Sequence, residues 1–156
     1  MRKQHSILIL IASLGLLLGC SKSKSNPVPA ATGKFTFNGV VYSGPASGAS
    51  YNGGMVVSID GGGSKTITFY NVPVSSGGAV NIVNAYNAGV SESTDVYGSS
   101  NIMIGNSQSS SVADNGSVSL SGTLTKTGAR SFEFTGYFQA DLSSKLTAPV
   151  SGSGTY

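Results

Sequence analysis

The chain has 156 residues, nine basic and six acidic side chains, and a formal charge of +3 at pH 7. It contains 22 glycines, no tryptophan, one cysteine and one histidine. A single cysteine excludes an internal disulfide, so packing alone must hold whatever folds, and a chain of this length can bury the core of one domain.

The first twenty residues carry the most specific signal. Met1-Arg2-Lys3 is a short basic start, and "SILILIASLGLLLG" runs apolar from Ser6 to Gly19. That length matches a signal-peptide core of about 7–15 residues. It falls short of the roughly 20 that a membrane-spanning helix needs. The run ends in Leu17-Leu18-Gly19-Cys20, which resembles the lipobox of bacterial lipoproteins. The resemblance implies that the Cys20 sulfur receives a diacylglycerol, that a peptidase cuts between Gly19 and Cys20, and that the new amine is acylated. A thiol supplies the nucleophile, and the small Gly19 with the leucine three residues before Cys20 fits the peptidase. Each buried methylene contributes about 0.8 kcal/mol, so two or three acyl chains hold firmly where one is marginal.

The chain therefore divides into residues 1–19, a removed signal peptide; residues 20–33, a lipidated cysteine and flexible tether; and residues 34–156, a β-domain. The tether "SKSKSNPVPAATG" is polar, carries Pro27 and Pro29 and has no apolar period. Extended, it reaches roughly 40 Å at about 3.3 Å per residue. Loss of the signal removes Arg2 and Lys3, and the remaining bases nearly balance the six acids. The positive charge is thus a targeting feature and implies no nucleic-acid partner, which would need a clustered basic face. Lys22 and Lys24 flank the anchor, against the 4–8 bases of a lipid-binding cluster. His5 leaves with the signal and lipid takes Cys20. The mature domain then lacks the groups for a Ser-His-Asp triad, a Cys-His pair or a zinc site with nitrogen or sulfur ligands.

Beyond the tether, short alternating runs predict strands. "KFTFNGVVY" (34–42) puts Phe35 and Phe37 on one face, with Asn38-Gly39 as a two-residue hairpin turn. "MVVSID" (55–60) and "KTITFY" (65–70) form a hairpin around Gly61-Gly62-Gly63, with Met55, Val57 and Ile59 on one face and Ile67 and Phe69 on the matching one. "AVNIVNAY" (79–86) fits a strand or one helical turn. "NIMIG" (101–105) reads as a strand. "GSVSLSGTLTK" (116–126) alternates through Val118, Leu120 and Leu124. After a turn at Thr127-Gly128-Ala129, "RSFEFTGYFQA" (130–140) alternates through Phe132, Phe134 and Phe138. "VSGSGTY" (150–156) closes the series. The pattern predicts a single antiparallel β-sandwich or barrel of about seven to nine short strands. Serine and glycine crowd 43–54 and 105–117, which read as loops with little to bury.

Candidate chemistry is sparse. "DGGGSKT" (60–66) lacks the glycine directly before lysine and the following helix of a phosphate-binding loop, and reads as a hairpin turn. Asp60 and Asp114 sit in turn sequences, Glu92 and Asp95 in the polar "SESTD", Asp141 after a strand. Glu133 lies opposite the phenylalanines, with Ser131, Thr135 and Tyr137 on a solvated face. The sequence assigns no catalytic residue, no metal site and no cofactor. Of seven tyrosines, those exposed on a sheet face are suited to stack on sugars or grip a protein; the competing reading is half-buried strand residues.

"GKFTFNGVVYSG", "GSVSLSGTLTKTGARSFEFTG" and "GSGTY" make the mature part similar to the small serine- and glycine-rich all-β lipoproteins of Gram-negative envelopes. That resemblance transfers no active site. It implies that Ser21, in place of aspartate after the cysteine, directs the protein to the outer membrane. The absence of an acidic run in "SKSKSN" implies the periplasmic leaflet. The expected role is a non-enzymatic, membrane-anchored module that binds an envelope protein or glycan. The alternatives are a lipocalin-like carrier of a small apolar ligand and a carboxylate-based hydrolase.

Overall fold

The computed structural model describes residues 30–86, 95–105, 116–140 and 145–156. Among the described residues nine strands follow in chain order: β1 (Thr32–Phe37), β2 (Val40–Tyr51), β3 (Gly54–Asp60), β4 (Thr66–Val72), β5 (Ala79–Ile82), β6 (Tyr97–Ser100), β7 (Ser117–Gly128), β8 (Ser131–Gln139) and β9 (Thr147–Thr155). All the strand pairings are antiparallel. β1, β2, β3, β4, β6, β7, β8 and β9 pair in that order, and β9 returns to β1. This is a closed up-and-down barrel of eight strands. The extra strand, β5, shares an edge of β7 with β6: β6 takes Ser117 and Val118, and β5 takes Gly122–Thr125.

Closure dictates the interior. An eight-stranded barrel is just wide enough for side chains to fill. Phe35, Phe37, Val57, Ile59, Ile67, Phe69, Leu124, Phe132, Phe134 and Phe138 all point inward and are buried. The Phe69 ring centroid lies 4.6 Å from that of Phe134 and 6.1 Å from that of Phe138; Phe37 meets Phe138 at 5.9 Å. Glycines stand across from these rings. A Cβ on Gly152 would lie 2.7 Å from both the Phe134 ring and the Phe35 Cβ, and one on Gly98 would lie 2.9 Å from Phe69 and Phe138.

The hairpins follow their turn chemistry. Asn38 and Gly39 take φ of 49° and 81°, the double positive φ of a tight hairpin turn. Asn52 and Gly53 do the same at 45° and 83°. The β3–β4 loop is a turn as expected, with Gly61 N–H donating to Lys65 O at 2.7 Å and Gly62 N–H to the Asp60 carboxylate at 2.9 Å.

Four expectations need correction. Residues 43–51 are not loop but most of β2. Small residues are required there, because any side chain at Gly48 would strike the Tyr156 ring. Of the second expected loop, 106–115 lie outside the described residues. The strand placed at Asn101–Gly105 is instead Tyr97–Ser100. Ile102 and Ile104 remain buried, but the Ser100 hydroxyl donates to Thr66 O at 2.7 Å and accepts Ile102 N–H at 3.1 Å, turning the chain off the ladder. Third, Val118, Leu120 and Leu124 do not share a face. A bulge between Ser119 and Ser121 breaks the alternation, so Val118 pairs with outward Gln139 while Leu124 pairs with inward Phe134. Fourth, β7 runs through Gly128, which pairs with Ser131, so the turn is Ala129-Arg130. β1 also begins slightly earlier than residue 34.

Ser117 and Ser119 are both fully buried on β7. The Ser119 hydroxyl accepts Gly98 N–H and donates to Val83 O, each at 2.8 Å, pinning the chain after β5 and strand β6 to β7. The Ser117 hydroxyl has no partner among the described residues. Breaking a satisfied buried bond costs about 1–3 kcal/mol, whereas removing an unsatisfied group relieves a penalty. Ser119→Ala is therefore expected to lower urea-unfolding stability by that amount, and Ser117→Ala to leave it unchanged or raise it. Gly152→Ala is expected to lose about 1–3 kcal/mol by overpacking. Gly77→Ala, in open space, should stay within about 0.5 kcal/mol.

Candidate functional site

Because strand neighbours are in register, outward side chains form rows around the barrel. One row reads Asn81, Thr123, Thr135, Ser151, Thr36 and Val41, each paired with the next. The adjacent row reads Ala79, Thr125, Glu133, Ser153, Lys34 and Ser43. Strands lie about 4.8 Å apart and alternate residues about 6.7 Å along a strand. The result is a regular array of hydroxyls with one carboxylate and one ammonium, separated by Ser153.

Three open hollows run along the β8–β9 seam of this array, of about 420, 380 and 300 Å3. Glu133 and Ser153 line the first two, and Thr135 and Ser151 the second and third. They therefore form one groove from the Ser131–Thr155 pair to the Tyr137–Pro149 pair, roughly 20 Å at about 3.3 Å per residue. Gly136, Gly152 and Gly154 are among the residues that line these hollows, between the outward side chains of β8 and β9. Tyr137 stands at the far end, 52% exposed.

The remaining tyrosines serve the fold. Tyr42 stacks on Phe35 at 5.1 Å. Tyr70 stacks on Tyr97 at 4.9 Å and meets Tyr51 edge-on at 5.9 Å, on the outer face of β2, β4 and β6. Tyr51 thus ends a strand and does not sit in a loop. The Tyr86 hydroxyl is buried with no partner among the described residues.

Of the other sequence-singled residues, Gly19, Cys20, Glu92, Asp114 and Asp141 lie outside the described residues. Asp60 closes its turn, Asp95 is exposed, and Glu133 projects outward into the groove, on the face expected for it. Among the described residues, no three His, Cys, Asp or Glu side chains come together in a way that could hold a metal ion. What the sequence misses is the groove itself. The alternation within β8 is visible, but the alignment of Ser151 and Ser153 depends on the β8–β9 register, and that of Thr36 and Lys34 behind them on ring closure.

Burial, then the neighbouring Tyr51 and Tyr70 and a hydrogen bond with Tyr51, hold the Tyr97 hydroxyl above the usual tyrosine range. A folded-state pKa raised in this way contributes stability that is complete below the ordinary tyrosine pKa near 10 and is lost as pH rises through the raised value. The melting temperature is expected to fall above pH 10, and Tyr97→Phe to flatten that fall; identical alkaline profiles for the two proteins would contradict this. No protein-family model, curated protein or solved structure matches the chain.

Proposed function

We propose that the chain is a lipid-anchored envelope protein whose barrel is a non-enzymatic binding module, held to the outer membrane through Cys20 with the barrel on the periplasmic side. The observation that carries the reading is the basic start, apolar run and Leu17-Leu18-Gly19-Cys20 junction. The barrel surface supports it. A membrane-spanning barrel presents an apolar outer band, whereas these outward rows carry Thr, Ser, Lys and Glu. Among the described residues no helix is long and apolar enough to cross a bilayer. Anchoring by lipid is consistent with both.

The packed interior favours binding on the outside over carriage of an apolar ligand within, since Phe37, Phe69, Phe134 and Phe138 occupy the space where such a ligand would sit. The described acids favour recognition over hydrolysis. Asp60 is engaged by its own turn, and Glu133 stands among hydroxyls with Lys34 one strand beyond Ser153. The tether joins the barrel at Thr32. Thr32 pairs with Thr155, so an anchor would attach at the opposite end of the groove from Tyr137.

Cys20→Ser is expected to abolish incorporation of labelled palmitate. Replacing residues 1–20 by an ordinary secretory signal should yield a soluble periplasmic protein with β-type circular dichroism and a cooperative melt. Persistence of that protein in the membrane fraction would refute anchoring by lipid alone.

A further inference from the structure

We infer that the β8–β9 groove is a binding site for a neutral, linear oligosaccharide, with Tyr137 as the stacking platform and Thr135, Ser151, Glu133 and Ser153 as the hydrogen-bonding wall. The inference deepens the binding-module reading and rests on it.

Three observations select this ligand class. First, the groove offers no backbone pairing. β8 is hydrogen-bonded to β7 on one side and β9 on the other, and β9 to β8 and β1. An extended peptide gains its affinity mainly by adding to a free sheet edge, and the closed ring supplies none here. Recognition must run through side chains. Second, those side chains are hydroxyls, which both donate and accept, with one carboxylate acceptor. A polyol presents the same mixed donors and acceptors. The carboxylate of Glu133 and the ammonium of Lys34 flank Ser153 in one row, so the wall carries no excess charge to attract a polyanion or a basic peptide. Third, the far end is apolar. Tyr137 is 52% exposed beside Pro149, and both line the hollow at that end. An exposed phenol ring at the end of a hydroxyl-lined groove suits the apolar face of a sugar ring with its equatorial hydroxyls turned to the wall. The groove length of roughly 20 Å suits a chain of several sugars.

The test is calorimetric titration of the mature lipidated protein in neutral detergent with cellohexaose, maltohexaose and chitohexaose, with heparin hexasaccharide as the charged comparison. At least one neutral hexasaccharide is expected to bind in the micromolar to millimolar range, more tightly than heparin. Tyr137→Ala is expected to weaken it by tenfold or more, and Thr135→Val with Ser151→Ala by severalfold. Ser47→Ala, on the outer face of β2, should leave it unchanged, and circular dichroism of each variant checks folding. Absence of neutral binding, preference for heparin, or equal affinity of wild type and Tyr137→Ala overturns the inference while leaving the anchored-module reading standing. Capture of an envelope protein lost on Tyr137→Ala, without saccharide binding, also overturns it in favour of a protein partner. Mass spectrometry of the incubated sugar separates the two levels: an intact hexasaccharide agrees with both, and a shortened one refutes the non-enzymatic reading.

Discussion

Everything in this barrel depends on phenylalanine rings meeting glycines across a ring of only eight strands. Each buried Phe contributes about 1.5–3 kcal/mol. Five of the largest fully buried side chains are Phe35, Phe37, Phe69, Phe132 and Phe138. A ring so narrow cannot hold a large side chain at every inward position. Gly98, Gly152 and Gly154 yield the space that the aromatic rings take, since a Cβ at any of them would press on a ring within 3 Å. The glycine content is therefore a packing requirement as much as a turn requirement.

That constraint also shapes the outside. Inward Phe and Gly on β8 and β9 alternate with outward Thr, Ser and Glu, so the outer surface over this core is built of short polar side chains. Filling the interior with aromatics leaves the outer wall as the place where a partner can be met. Chain entry at Thr32, beside Thr155, lies at the end of that wall opposite Tyr137. The buried Lys126 donates to Val74 O at 2.6 Å and lies 5.8 Å from the Tyr156 ring centroid, inside the end of the barrel where β1 begins.

Much of the fold is legible in the sequence. Period-two placement of Phe132, Phe134 and Phe138, the Asn38-Gly39 turn and the glycine-rich 61–63 turn give strands and hairpins directly, because each signal is local. Three features are not local. β2 hides in "SGPASGASYNGG" because its inward residues are small, Gly44 to clear the Asp60 carbonyl and Gly48 to clear Tyr156, more than a hundred positions away. The bulge at Leu120 exchanges the faces of β7, and nothing in the alternation announces it. "NIMI" has the look of a strand, yet Ser100 and Asn101 divert the backbone by binding Thr66 and Ser64. The groove belongs with these. Its Glu133 and Tyr137 wall is written in β8, but its other wall arrives only when β9 takes its register against β8, and Lys34 and Thr36 only when β9 closes on β1.

Ring closure is the central claim, and the β1–β9 ladder is where it is decided. Cross-strand nuclear Overhauser contacts, with amide hydrogen exchange, test it directly on the pairs Lys34–Ser153 and Thr36–Ser151. A closed barrel predicts contacts across both pairs and amide protection in β1 and β9 equal to that in β3 and β4. Missing contacts, with rapid exchange confined to β1 and β9, would show an open sheet and contradict the account.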